Sequence, residues 1–360
     1  MMLFDAHLDL AMNAMEWNRD FRLPLEEIRQ REAGQTDKRD RGQGTVCFPE
    51  MRKGGIGLCV ATLIARYVKP GNPLPGWHSP EQAWAQTQGQ LAWYREMERQ
   101  GELRQIRTRE DLDEHLAIWE NHRDEPRPIG FVLSLEGADS IVEPGLLERS
   151  YQDGLRMLGP AHYGPGTYAM GTHTEGGLNP RGRELLREMD RLGMVLDVTH
   201  LSDACFFEAL EVFQGPVWAS HSNARALVPD QRQFSDEQLR LLLDRGAVIG
   251  AALDAWMLVP GWIKGQSNPA NTPVTLQDAA RHIDHVCQLA GNSLHCCLGT
   301  DLDGGFGREQ GPSDMDSIAD LHRIGDLLSG MGYSPEDLRN ILQGNGIRFL
   351  NRNLPSRGSI

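Results

Sequence analysis

Eight short, predominantly apolar runs recur along the chain, and segments with helical spacing separate nearly all of them. Each run predicts a strand; the runs are Leu3–Leu10, Gly57–Ala65, Ile129–Leu135, Leu155–Leu158, Met194–Val198, Val217–Ser220, Val248–Leu253 and Leu294–Gly299. Almost uniformly apolar strands are typical of a parallel sheet that is covered on both faces. Eight βα units of this kind predict an α/β fold, a closed (β/α)8 TIM-type barrel.

The helical segments carry boundary signals of their own. Ser79–Gln82 and Ser235–Gln238 are capping boxes, and Gly193 stands where a residue with a left-handed backbone ends a helix. A doubly wound sheet would need a glycine-rich phosphate loop after the first strand, and Asp9–Met12 is not such a loop. We therefore predict one barrel domain over residues 1–360 that ends in C-terminal helices.

Metal-binding and proton-transferring residue types stand at the ends of five of the predicted strands. They are His7 and Asp9, Glu136, His200, His221 and Asp301. Catalytic groups of a barrel lie at the carboxyl ends of its strands, so we expect these side chains to meet at one rim. Three imidazoles and two carboxylates exceed the ligand set of one zinc ion and suit two metals that share a carboxylate. Such a centre is typical of hydrolases that act on amides, lactones or phosphoesters.

Charge and cysteine usage narrow the classes of partner. The formal net charge of −14 argues against a nucleic-acid partner, because phosphate binding requires a basic face. No apolar stretch is long enough to span a bilayer, so we expect no membrane partner. The six cysteines form no C-x-x-C pair and are expected to be buried thiols. With no secretion signal before His7, we predict a cytoplasmic protein.

Several blocks of the sequence, in the same order, resemble the membrane (renal-type) zinc dipeptidase family, in its bacterial-type form. The blocks span almost the whole chain and are Asp5–Leu10, Ser134–Ala138, Gly182–Glu184 with Asp197–Ser202, Ser220–Ala226, Gly299–Gly304 and Gly344–Asn345. The resemblance implies a dipeptidase with two zinc ions bridged by a glutamate and a hydroxide. It also implies a dipeptide substrate and a homodimer.

The resemblance also implies a role for each matched residue. His7 and Asp9 would bind one metal, His200 and His221 the other, and Glu136 would bridge them. Two further residues match family positions that contact the substrate: His162 would hydrogen-bond the tetrahedral oxyanion, and Arg232 would grip the free carboxylate.

Asp301 would move the proton between the bridging water and the leaving amine. Asp303 is expected to support the site structurally. Bacterial-type relatives often accept a D-residue on the carboxyl side, which makes L-Xaa-D-Xaa dipeptides the leading substrate prediction.

Three segments depart from the family pattern, and one is the opening motif, where Leu8 and Ala11 stand in place of the family's usual Asn and Pro. Ala251–Trp256 lacks the polar and aromatic residues expected there and lies near the substrate in the family, so the substrate preference of this chain stays open. The loop Gly164–Gly177, which contains Tyr168 and His173, is also unusual. His173 is the one spare histidine near the expected site, where a solvated loop position is the alternative.

Two other functions remain open from the sequence. One is a different two-metal amidohydrolase reaction, such as hydrolysis of an N-acyl amino acid or a lactam. The other is a dipeptidase-like protein that has left catalysis for the maturation or binding of a peptide-derived product.

Overall fold

All nine strands of the computed structural model are parallel and belong to one sheet. The structure describes residues 1–70, 72, 74–121 and 126–359. The strands are β1 (Leu3–Leu8), β2 (Ile56–Leu63), β3 (Leu103–Gln105), β4 (Ile129–Glu136), β5 (Leu155–Gly159), β6 (Val195–Asp197), β7 (Val217–Trp218), β8 (Ile249–Ala251) and β9 (Cys296–Leu298). Their order is β7-β6-β5-β4-β2-β1-β9-β8, and β3 pairs beside the start of β4.

The two ends of this sheet meet and close it into a barrel. Ala219, directly after β7, forms a parallel bridge with Ile249 of β8, and the amide of Gly250 donates to the carbonyl of Ala219 at 2.8 Å. Eight strands therefore surround one axis, which confirms the (β/α)8 fold predicted from the apolar runs.

Fourteen α-helices lie in the described part of the chain, and most follow a strand. They are α1 (Leu10–Glu16), α2 (Leu25–Arg31), α3 (Phe48–Gly54), α4 (Pro80–Arg99), α5 (Arg109–Asn121), α6 (Leu147–Gln152), α7 (Pro180–Leu192), α8 (Asp203–Val212), α9 (Asp236–Asp244), α10 (Ala255–Leu258), α11 (Leu276–Ala290), α12 (Arg323–Gly330), α13 (Pro335–Arg339) and α14 (Asn345–Asn353). Gly193 ends α7 with a φ of 65°, as its position predicts.

Alternate strand residues separate into two buried clusters. Leu58 and Val60 of β2 join one cluster, whereas Cys59 and Ala61 join the other, because successive strand side chains point to opposite faces. α14 packs against the first cluster, where Phe349 stacks on Trp218 with ring centroids 5.5 Å apart.

The structure bears on the expectations for the cysteines and for membrane-spanning segments. All six cysteines are buried free thiols. Within the described ranges, no helix has both the length and the apolar character needed to cross a membrane.

Candidate metal centre and catalytic cavity

One register recurs at the carboxyl ends of the strands. Six polar side chains each stand three positions after the last residue of a strand: Arg66 after β2, His162 after β5, His200 after β6, His221 after β7, Asp254 after β8 and Asp301 after β9. His7 belongs to β1, Asp9 follows it, and Glu136 is the last residue of β4. Parallel strands end at the same rim, so all of these groups are directed to one end of the barrel.

The side chains of the predicted metal ligands converge on Glu136, whose two carboxylate oxygens face different groups. Oε1 lies 3.2 Å from Nε2 of His200 and 3.4 Å from Nε2 of His221. Oε2 lies 3.6 Å from Nε2 of His7, which in turn lies 3.7 Å from Oδ1 of Asp9. The structure thus brings together all five residues that the sequence predicted as metal ligands.

The separations of 3.4–3.7 Å fit ligands around a shared cation better than hydrogen bonds between the side chains. Two ligand atoms about 2.1 Å from a tetrahedral zinc ion lie roughly 3.4 Å apart. Nε2 of His7 is buried and has no hydrogen-bond partner within the described ranges, although three carboxylates surround it. An orphaned imidazole nitrogen among carboxylates is the donor set that a divalent cation such as zinc completes.

Neighbouring hydroxyl groups orient the ligands. The hydroxyl of Thr172 lies 2.8 Å from Nδ1 of His200, and the hydroxyl of Ser220 lies 2.8 Å from Nδ1 of His221. Each contact leaves Nε2 facing Glu136. The hydroxyl of Thr62 donates to Oδ1 of Asp9. Partners of this kind fix the ring orientation and increase the affinity of a metal site.

The charges at the site show a local excess of negative charge. Burial favours a neutral imidazole, yet Glu136, Asp9 and Asp301 raise the pKa of His7 to about 10. Burial also raises the pKa of Asp9 to about 6, with a further contribution from the charge of Glu136. The cluster therefore stabilises an added positive charge, which a proton or a metal ion could supply.

The other two imidazoles differ from His7 in the direction in which their surroundings shift the pKa. Burial, together with the positive charge of Arg232, lowers the pKa values of His200 and His221 well below 6.5. Both rings are neutral at pH 7, which is the form that binds a metal.

Asp301 lies at the edge of the cluster, with Oδ1 at 3.7 Å from Nε2 of His7. Burial, reinforced by the charges of Asp9 and Glu136, raises the pKa of Asp301 well above its ordinary value. Its backbone has a φ of 57°, a left-handed conformation that Asp tolerates better than most residues. A carboxyl group in this setting holds a proton more readily than one exposed to water.

The two predicted substrate-contacting residues lie on either side of the cluster. Nε2 of His162 is 3.8 Å from Oε1 of Glu136, while its Nδ1 is 2.5 Å from Nη2 of Arg66. Arg232 is 3% exposed and donates from Nη1 to the hydroxyl of Ser222 and from Nη2 to the carbonyl of His221. Its buried Nε has no partner in the part of the chain that the structure describes.

A cavity of about 460 Å³ opens above these groups. Its inner wall includes Asp9, Glu136, His162, His200, Arg232 and Asp301, and its outer wall includes Trp77, Asp254, Met257, Lys264 and Gln310. A cavity of this size suits a ligand of a few residues.

The remaining sequence expectations fall outside the cluster. Half-exposed His173 has its Nε2 2.8 Å from Oδ1 of Asp230, away from the five ligands. Tyr168 is buried and donates its hydroxyl to the carbonyl of Ile141. Asp303 accepts hydrogen bonds from the amide and hydroxyl of Thr45 and forms an ion pair with Arg19 at 3.3 Å. It therefore connects the barrel rim to the segment between α1 and α3.

The polar cavity residues that sequence reasoning missed include Arg66, Asp254 and Lys264. The first two follow the same three-residue register as His162 and Asp301, and that register was the signal available for them. Asp254 accepts hydrogen bonds from the indole of Trp256 and the amide of Gln310. Lys264 lies 3.8 Å from Asp254 and 4.3 Å from the ring centroid of Trp256. The segment Ala251–Trp256 therefore does contribute a polar wall to the cavity.

Among proteins similar in sequence, an uncharacterized protein of the pqqA 5′ region of Klebsiella pneumoniae is 30% identical over 236 residues, which are 63% of this chain and 83% of that protein. Dipeptidase tcpJ of Claviceps purpurea is 30% identical over 232 residues, 61% of this chain and 51% of the fungal protein. The match thus spans about half the length of the fungal dipeptidase.

Two solved structures share the fold. The dipeptidase AC, a metallo peptidase, superposes with a TM-score of 0.79 at 23% identity and 99% coverage of both chains. A metallo peptidase from Rhodobacter sphaeroides, liganded with a phosphinate mimic of the dipeptide L-Ala-D-Ala, gives 0.76 at 23% identity, covering 98% of this chain and 99% of that one.

The family model for membrane dipeptidase (peptidase family M19) matches residues 1–355. This match confirms the resemblance found in the sequence blocks. The chain belongs to the membrane dipeptidase family, peptidase family M19, a family of metallo-dipeptidases.

Proposed function

We propose that this protein is a zinc-dependent dipeptidase with two metal ions bridged by Glu136. The observation that carries the proposal is that the two carboxylate oxygens of Glu136 face different ligand groups. Oε2 faces His7, and Oε1 faces His200 and His221. A carboxylate placed between two ligand groups is what a two-metal centre requires. When bound, the metals would supply a hydroxide nucleophile and polarise the scissile carbonyl.

Arg232 would select the substrate by its free carboxylate. Its guanidinium is buried at the cavity wall, is oriented by Ser222 and the carbonyl of His221, and keeps unpaired N–H groups. Because Arg232 also hydrogen-bonds the backbone of His221, a predicted metal ligand, a carboxylate held there would lie beside the metal centre, as the free carboxylate of a dipeptide requires.

His162 and Asp301 would serve the reacting atoms. Nε2 of His162 would donate a hydrogen bond to the carbonyl oxygen as negative charge develops on it. Asp301 would take the proton of the attacking water and deliver it to the leaving nitrogen, a task suited to its raised pKa.

A dipeptide with a D-residue on the carboxyl side is the substrate that we propose. The phosphinate mimic of L-Ala-D-Ala held by the Rhodobacter sphaeroides peptidase, which has the same fold, supports this proposal. The homodimer and the cytoplasmic location remain part of the proposal as well.

The test is amino-acid release from L,L-, L,D- and N-acetylated L,D-dipeptides by the zinc-reconstituted protein. We expect cleavage of free L,D-dipeptides and its loss after chelation. Cleavage of the acetylated substrates alone would indicate a different amidohydrolase. If no substrate reacts while metal analysis gives two zinc ions per chain, a binding or maturation role replaces catalysis.

A further inference from the structure

Arg66 is a cavity residue to which no part of the proposed reaction assigns a role. It stands three positions after β2, and its Nη2 lies 2.5 Å from Nδ1 of His162. A guanidinium only donates hydrogen bonds and stays protonated in proteins. Nδ1 of His162 must therefore be the acceptor, and the ring proton must reside on Nε2.

We propose that Arg66 is a positioning residue that holds His162 as the neutral tautomer protonated on Nε2, with that N–H directed at the reaction centre. This inference rests on the proposed function, because a donor at Nε2 is useful only where a carbonyl oxygen gains charge. Without Arg66 the imidazole could place its proton on Nδ1 and present a lone pair, which would repel the developing oxyanion.

The surroundings hold Arg66 in this orientation. Nη1 donates to the carbonyl of Pro75 at 3.0 Å, which fixes the plane of the guanidinium against the segment that forms the outer cavity wall. Buried Asp139 favours the charged form of the guanidinium, against the opposing effect of burial. That carboxylate is itself fixed by the amides of Tyr67 and Thr167, at 3.2 and 2.7 Å.

Kinetics with a tetrahedral inhibitor test the role. Arg66→Met should lower kcat about 10–100-fold and weaken a phosphinate dipeptide mimic by a similar factor, while KM changes less than about threefold. Arg66→Lys should recover part of the loss, because an ammonium can also donate to Nδ1. A matched control is Arg149→Met, which removes another half-buried arginine, one that stacks on Trp84 at 3.5 Å from its ring centroid.

A double-mutant cycle separates positioning from direct substrate binding. In a His162→Ala background, Arg66→Met should cause almost no further loss of kcat, because its effect passes through the missing ring. Losses that multiply, or a rise in KM at unchanged kcat, would overturn the proposal and make Arg66 a substrate ligand.

Nitrogen NMR of the zinc-loaded, ¹⁵N-histidine-labelled protein decides the tautomer without any turnover. The signals of His162 are those that the His162→Ala variant lacks. We expect its Nδ1 to be the unprotonated nitrogen in the wild type and to gain proton occupancy in Arg66→Met. A proton on Nδ1 in the wild type refutes the inference. If the wild type cleaves no dipeptide, the proposed function fails and this spectrum alone decides the role of Arg66.

Discussion

Replacing Arg232 with methionine tests the origin of dipeptide selectivity most directly. The substitution keeps an apolar stem of comparable length and removes the guanidinium that lies at the cavity wall, 3% exposed. Two of its N–H groups already bind Ser222 and the carbonyl of His221, so the remaining N–H groups, including the unpaired Nε, are available to a substrate carboxylate.

The expected loss follows from hydrogen bonds to a charged group in a buried site. Each contributes about 1.5–3 kcal/mol, and two such bonds correspond to roughly 3–6 kcal/mol, or about 10²–10⁴-fold in kcat/KM. The same substitution also frees the carbonyl of His221, which would perturb a predicted metal ligand. That second effect applies equally to every substrate.

A ratio of two substrates removes the common effect. The assay compares kcat/KM for L-Ala-D-Ala with kcat/KM for its C-terminal amide, in the wild type and in Arg232→Met. The wild type should prefer the acid by at least about 10²-fold, and the variant should lose this preference. If both substrates lose the same factor and the preference persists, Arg232 supports the site without binding the carboxylate, and the reasoning above is wrong.

Three further predictions follow from the titratable groups of the site and from His282 of α11. Asp301→Asn keeps the side-chain shape and tolerates the φ of 57°. It should lower kcat about 10²–10⁴-fold at unchanged zinc content, as measured by steady-state kinetics and metal analysis. Retention of most of the activity would exclude proton transfer by Asp301. Chelation should lower Tm, because the carboxylates around His7 lose their counter-charge, and zinc should restore it in a calorimetric scan; an unchanged Tm would show that the cluster needs no cation. Burial lowers the pKa of His282 from 6.5 to about 4, so the unfolded chain binds the proton more readily and about 3 kcal/mol of unfolding free energy should be lost as the pH falls from 6.5 to 4. Denaturant titrations should show a weaker pH dependence over that range in His282→Gln, and an equal dependence in both proteins would contradict the assigned pKa.

The barrel and its rim could be read from the sequence because both depend on local patterns. Every apolar run became a strand, and the ends of those runs placed His7, Glu136 and His221 at one rim. The pattern fails where an element is too short to show a period. β3 consists of Leu-Arg-Gln and exists because the start of β4 offers it an edge, which the sequence of Leu103–Gln105 does not indicate.

Contacts between distant parts of the chain could also not be predicted from the sequence. Thr172 orients His200 from within the loop Gly164–Gly177, whose sequence does not indicate this contact. Arg66 contacts His162 although β4 lies between their strands, and the register that the two residues share after β2 and β5 does not by itself show that their side chains meet. Such pairs depend on the twist and closure of the barrel, which set the distances between strand ends only after folding.

The closure of the barrel has a consequence for the timing of assembly during biosynthesis. Asp5 of β1 accepts hydrogen bonds from the amide and hydroxyl of Thr300, 295 positions further along the chain, and β1 lies between β2 and β9 in the sheet. The predicted metal ligands His7 and Asp9 thus wait for almost all of the remaining chain before their neighbourhood is complete. We therefore expect metal uptake at the proposed centre to be among the last events of maturation, later than the burial of the tryptophans, so that bound metal reports completed folding.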